Sequence, residues 1–155
     1  MTPSIRKLCW LIPLTAALVA CGSPEQSASD SQADAAPAAA PVDINELIAV
    51  ADVKRGQTLY FQCRACHTLN EGGANKVGPN LWGLLGKTAG VEPGFAYSDA
   101  LKNSGIVWTP ETLDGWFEQP ATFLPGNIMV FVGVKKPQDR ADLIAYLQQS
   151  TAAAE

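Results

Sequence analysis

The chain has 155 residues, enough for one domain, with 11 basic against 15 acidic side chains. With no basic excess, nucleic acid is excluded as a partner. Only one histidine, His67, two methionines, Met1 and Met129, and four cysteines are present, so few side chains are available for metal or redox chemistry.

The N-terminus reads as an export signal. Arg6 and Lys7 precede an apolar run from Leu8 to Val19 that is short for a membrane span. Leu18-Val19-Ala20-Cys21-Gly22 then resembles the bacterial lipobox, in which cleavage leaves the cysteine to be lipidated. An ordinary secretory peptide and an uncleaved short anchor are the competing readings. The small residues before Cys21 and the polar tail after it favour lipidation. This divides the chain into a signal peptide over 1–20, lipidated Cys21 with a flexible Ala/Pro/Ser linker over 21–43, and a folded domain over 44–155. The linker lacks apolar periodicity and cannot offset its ordering entropy by burial. About twenty such residues span roughly 25 Å as coil and at most about 65 Å extended.

Asp43 to Ala51 can begin a helix. Asp52 is an N-cap candidate for a second helix running toward Cys63, with Val53, Leu59, Tyr60 and Phe61 on a buried face. Gly56 interrupts that helix at a cost of about 1 kcal/mol relative to alanine, and a helical glycine marks close approach of another helix.

The helix leads into Cys63-Arg64-Ala65-Cys66-His67. Cys-x-x-Cys-His is the attachment signature of c-type haem. Two thiols spaced by two residues add to the vinyl groups on one macrocycle edge, and the adjacent histidine falls beneath the iron as proximal ligand. A thioredoxin-like dithiol with an unrelated histidine is disfavoured because no βαβ pattern surrounds the motif. Zinc is disfavoured because no second ligand pair follows. With Cys63 and Cys66 committed to haem and Cys9 and Cys21 in the leader, no cysteine remains for a structural disulfide. Covalent haem attachment is itself compatible with export to a bacterial periplasm.

Asn70 to Lys87 is rich in glycine, with Gly78-Pro79-Asn80-Leu81 at its centre and Leu81, Trp82, Leu84 and Leu85 interspersed. It reads as an extended loop covering something apolar, for which a haem face qualifies. A carbonyl near His67 can accept the imidazole N–H and fix the ring; an ordinary Gly-Pro turn is the alternative. Tyr97 to Ser104 suggests a short helix ended by Gly105. Thr109-Pro110-Glu111 is a strong helix start, and that helix should stop at Gln119 before Pro120, with Leu113 and Trp116 in the core. A last helix begins near Pro137 and runs to about Gln149, with Leu143, Ile144 and Leu147 on its apolar face.

No strong helix signal covers Met129. A lone methionine is ordinarily a gap-filler in a core. Here a haem needs a sixth ligand, no second histidine exists, and after signal removal Met129 is the sole methionine. Axial ligation by Met129 follows, and a thioether opposite histidine raises the potential.

From about Asp52 to Ser150 the chain resembles class I cytochrome c, close to the mitochondrial group and its bacterial relatives. The resemblance rests on Cys63-Arg64-Ala65-Cys66-His67-Thr68, Gly78-Pro79-Asn80-Leu81, Gly105-Ile106-Val107-Trp108, Pro125-Gly126 before Met129, and Arg140-Ala141-Asp142-Leu143-Ile144-Ala145-Tyr146-Leu147. It implies an all-α domain wrapped around one haem c, with crossed N- and C-terminal helices. It also implies thioether attachment through Cys63 and Cys66, axial ligands His67 and Met129, and orientation of His67 by the Pro79 carbonyl. Tyr97 and Trp108 resemble the family's propionate partners. The implied function is single-electron transfer by a monomer, not enzymatic catalysis, between a quinol-cytochrome c reductase-type donor and a cytochrome oxidase-type acceptor. The lipobox would add a membrane anchor on the periplasmic side, with the inner membrane favoured by function.

Several positions depart from the family pattern. Lys87 stands where an arginine often compensates a propionate. Leu101 replaces a polar residue, Trp116 a tyrosine on the methionine side, and Asn127 a threonine before the ligand, so hydrogen bonding around the Met129 sulfur should differ. Gln62, Ala121, Thr122 and Ile128 occupy positions where the mitochondrial proteins carry lysines around the haem edge. From residue 44 onward, nine basic side chains face eleven acidic ones. Long-range steering toward an acidic partner should therefore be weak. A haem peroxidase or small oxygenase, and a gas sensor in which a ligand displaces Met129, are the competing functions. Both require an open or labile iron site.

Overall fold

A computed structural model describes residues 43–152. The signal, the linker and Cys21 lie outside the described residues. Among the described residues six helices follow one another: α1 Ile44–Ala49, α2 Val53–Tyr60, α3 Asp99–Lys102, α4 Pro110–Glu118, α5 Pro120–Phe123 and α6 Pro137–Thr151. Among the described residues the extended structure is limited to an antiparallel bridge between Thr88 and Val107. The domain is all-α, as the sequence implied.

The helix starts follow local chemistry. Asp43 caps α1 by accepting from the Asn45 N–H, and Asp52 caps α2 by accepting from Lys54 and Arg55. Thr109 and Thr112 form a reciprocal capping box on α4, with Pro110 in its first turn. That helix ends at Glu118, with Gln119 as its C-cap. α6 runs two residues beyond Gln149, because Thr151 stays buried and its hydroxyl donates to the Leu147 carbonyl.

The frame is the packing of α2 and α1 against α6, with α4 on the same helix. Ala141, Leu143, Ile144 and Leu147 of α6 are buried, and Tyr60 of α2 reaches the same core. At the α2–α6 contact, a Cβ on Gly56 would overlap the Asp142 carbonyl and lie 2.8 Å from the Tyr146 Cβ. Only glycine permits this approach. Two ion pairs brace the frame. Arg55 donates to Asp139, and buried Arg140 donates to Asp114 while also holding the Val134 and Lys135 carbonyls.

Two expectations are corrected, and one element is added. Phe61 is exposed rather than on the buried face, since α2 ends at Tyr60 and the chain turns toward Cys63. Its ring lies 4.1 Å from the Arg64 guanidinium. The helix expected over 97–104 is a single turn, Asp99–Lys102, capped by Ser98, which leaves Tyr97 outside it. The segment after Gln119 contains the short helix α5, begun by Pro120.

Candidate functional site

The core stops short of the space between the loops. There a cleft of about 370 Å³ is lined by Cys63, Cys66, His67 and Met129 together with a mainly apolar wall. The wall includes Leu81, Leu84, Leu101, Trp108, Trp116 and Phe117, drawn from two loops, α3 and α4. Trp116 is both core and lining, its ring 5.3 Å from that of Trp108 and edge-on to it. Lys87, Glu92 and Tyr97 supply polar lining groups.

The Cys63–His67 segment forms a tight turn that continues α2. Both the Cys66 and His67 N–H groups donate to the Cys63 carbonyl at 3.0 Å. Tyr60 ties the turn to the core through its hydroxyl, which donates to the His67 carbonyl at 3.1 Å. Cys63 and Cys66 are not joined to each other in a disulfide. Burial pushes the Cys63 thiol up to about 11, with Cys66 adding to the effect. A reactive Cys-x-x-Cys dithiol has the opposite property, a depressed thiol pKa.

His67 Nδ1 lies 2.8 Å from the Pro79 carbonyl oxygen. That oxygen only accepts, so Nδ1 carries the proton and Nε2 keeps its lone pair. Burial lowers the His67 pKa, against the opposing pull of the Pro79 bond, and so favours the neutral, ligating imidazole. The ring is also held from behind: a Cβ on Gly78 would overlap it.

Pro79 is fixed by a residue that sequence reasoning did not single out for itself. Asn80 is buried, with Nδ2 donating to Thr68 Oγ1 at 2.7 Å and to the Asn70 carbonyl at 3.0 Å. Its Oδ1 accepts the Trp82 N–H at 3.0 Å. Asn75 extends the network, accepting from the Asn80 N–H and donating to the Pro93 carbonyl. An asparagine after proline between glycines reads as turn chemistry. Its partners come from separate stretches of chain, which only the fold brings together.

On the far side of the cleft the departures from the family pattern take definite positions. Lys87 lines the cleft, but its ammonium donates to the Trp82 carbonyl at 2.7 Å and to Glu92 at 3.2 Å. It is thus shared with a carboxylate of this chain. Tyr97 lies half-buried against Phe95, ring centroids 4.8 Å apart, and burial raises its pKa. Trp108 is buried. Backbone bonds between Gly86 or Lys87 and Trp108 hold the Lys87 and Trp108 segments side by side. Asn127 does not turn to the Met129 sulfur. Its side chain hydrogen-bonds only to backbone, including the Met129 N–H.

This donor set fits haem c. Two thiols two residues apart, a neutral imidazole with a free Nε2 and a thioether share one apolar cleft, with polar groups in its lining. Among the described residues no cluster of three His, Cys, Asp or Glu side chains offers a metal site of another kind. The family model for cytochrome c matches residues 53–151, from the first residue of α2 to the last of α6. The chain belongs to the cytochrome c family. It is 47% identical over 102 residues to cytochrome c of Sesamum indicum, covering 65% of this chain and 92% of that one. It is 48% identical over 102 residues to cytochrome c of Chlamydomonas reinhardtii, covering 65% and 91%. To cytochrome c of Theileria parva it is 50% identical over 101 residues, covering 64% and 87%. As a cytochrome c it is a monohaem electron carrier rather than an enzyme, with haem c attached covalently through Cys63 and Cys66 and with redox proteins as partners. The matched region begins at α2, and α1 lies in front of it. No helix among the described residues is long and apolar enough to cross a membrane.

Proposed function

We propose that this cytochrome c is tethered by a lipid on Cys21 to the periplasmic side of a bacterial membrane. There it carries single electrons from a quinol-oxidising cytochrome complex to a terminal oxidase or an equivalent acceptor. His67 and Met129 are its axial ligands. The observation that carries the ligation is that both side chains line the cleft holding Cys63 and Cys66, with Nδ1 of His67 already committed to Pro79. Haem supplies the one-electron ferric–ferrous couple. The chain holds His67 in one tautomer, presents Met129 from a loop, and surrounds the site with apolar groups that keep water out. Lys87, Tyr97 and Trp108 are assigned to the propionate side, with Lys87 contributing charge while remaining paired to Glu92.

The tether is supported by two features together, the lipobox-like sequence around Cys21 and the character of the cleft's rim. The exposed lining residues are Gln62, Val77, Thr88, Val91, Ile128 and Val130, and none is charged. A carrier that finds its partner by long-range attraction needs charge around its docking face. Confinement at a membrane raises the partner's effective concentration and removes that need. Electron transfer to the membrane oxidase, followed against ionic strength in native membranes, should therefore change little with salt. In a Cys21→Ser variant the cytochrome should leave the membrane fraction and its turnover at low concentration should fall. A steep loss of rate with salt, or unchanged membrane retention of the variant, would refute the proposal.

A further inference from the structure

We propose that Asn127 is the positioning residue for Met129; this rests on the reading of Met129 as an axial ligand. The stretch 128–133 is poorly held. Among the described residues it takes part in one hydrogen bond, from the Met129 N–H to Asn127 Oδ1 at 3.0 Å. The chain is fixed again at its far end, where Gly133 packs against the Glu118 carbonyl, the Val134 N–H donates to the Phe117 carbonyl and Arg140 holds the Val134 and Lys135 carbonyls. Ile128, Val130 and Val132 point outward and are exposed, so packing secures few of these residues.

The Asn127 amide is itself rigid. Its Nδ2 donates to the Pro120 carbonyl and to the Leu124 carbonyl, both at 2.8 Å. Those two oxygens belong to the first residue and the C-cap of α5. Both amide hydrogens are thereby committed, and a flipped amide would set Oδ1 against two carbonyl oxygens. Oδ1 can face only the Met129 N–H. Asn127 therefore transmits the position of α5 to the backbone of the ligand. A residue with no side-chain acceptor cannot do this, and a hydroxyl can do it only in part, because it accepts but has one hydrogen to give.

The consequence is control over how often the Met129 loop opens. An exogenous ligand that binds only the open form has an apparent affinity set by the fraction open. The experiment titrates imidazole into the ferric, haem-loaded protein and follows the weak red-region sulfur-to-iron absorption band. Wild type, Asn127→Ala, Asn127→Thr and Asn45→Ala are compared, with thermal unfolding measured on each. Asn45 donates to Glu111 on the α1–α4 contact and lines no part of the cleft, so its variant controls for general loosening. Asn127→Ala should bind imidazole about tenfold more tightly, as expected for losing the one hydrogen bond that this stretch makes among the described residues. Asn127→Thr should fall between it and wild type, and Asn45→Ala should match wild type. An unchanged affinity in Asn127→Ala, or an equal gain in Asn45→Ala, would overturn the assignment. Absence of the red band from wild type would instead refute Met129 ligation itself.

Discussion

Replacing Gly56 by alanine tests the helix crossing that frames the haem site. Two effects oppose each other. Alanine is the better helix former and would gain about 1 kcal/mol in an exposed helix interior. Here the added methyl meets the Asp142 carbonyl group, with its carbon at 2.6 Å, and the Tyr146 Cβ at 2.8 Å. These are backbone and Cβ atoms, which cannot rotate away, so α2 and α6 must separate. Overpacking costs about 1–3 kcal/mol, and a clash with backbone belongs at the upper end or beyond. The net loss is about 2 kcal/mol, which lowers the midpoint of a domain this size by about 10 °C. Thermal unfolding of the haem-loaded protein, followed by far-ultraviolet circular dichroism, measures it. A midpoint equal to or above wild type would mean that the helices do not cross in contact at Gly56.

Other perturbations separate core, network and surface. Leu143→Ala removes a fully buried side chain from α6 and should cost about 2–5 kcal/mol in chemical denaturation, with the ferric spectrum unchanged. Asn80→Ala should cost about 1–3 kcal/mol by leaving the Trp82 N–H and the Asn70 carbonyl without their partner. By loosening the Pro79 carbonyl it should also raise the reduction potential, because a less electron-rich imidazole favours ferric iron less; equilibrium redox titration gives the sign. The Glu111 carboxyl is held below its ordinary value of 4.5 by hydrogen bonds from Thr109 and Asn45. A depressed carboxyl stabilises the fold above its unfolded pKa and loses that contribution as pH falls through its folded one. Nuclear magnetic resonance signals of α1 should therefore shift only below about pH 4.5. Asn45→Ala should lower that local stability at neutral pH.

Much of the fold was legible because its helices begin with local signals. Asp43, Asp52, Thr109-Pro110 and Pro137 mark starts within one turn of chain, and Gly56 announced the crossing before any partner was known. α5 was not legible. Four residues beginning with a proline straight after a C-cap are too short to carry a period. Phe61 misled because a helical period was extended past the point where the Cys63 turn begins. At the site, the Cys63, Cys66 and His67 signature is readable from spacing alone, whereas Met129 is proposed as a ligand for lack of any other candidate. The residues that brace the surrounding loops follow a different logic. Asn80 and Asn75 act on Thr68, Asn70 and Pro93, 10 to 18 residues away, and Arg140 acts on Asp114, 26 residues away. Such bonds join segments far apart in sequence, so only the folded chain reveals them. The Lys87–Glu92 pair was hidden for a related reason: five residues apart in a loop, the two side chains belong to no regular spacing.

The most direct test of the account is the visible spectrum of the haem-loaded protein, ferric and ferrous, with and without carbon monoxide, for wild type and Met129→Ala. A weak red-region ferric band and a ferrous spectrum indifferent to carbon monoxide are predicted for wild type. In Met129→Ala the band should vanish, carbon monoxide should bind, and the potential should drop. Ready carbon monoxide binding by wild type, or a variant with unchanged spectrum and potential, would contradict the account of a closed His67–Met129 electron carrier.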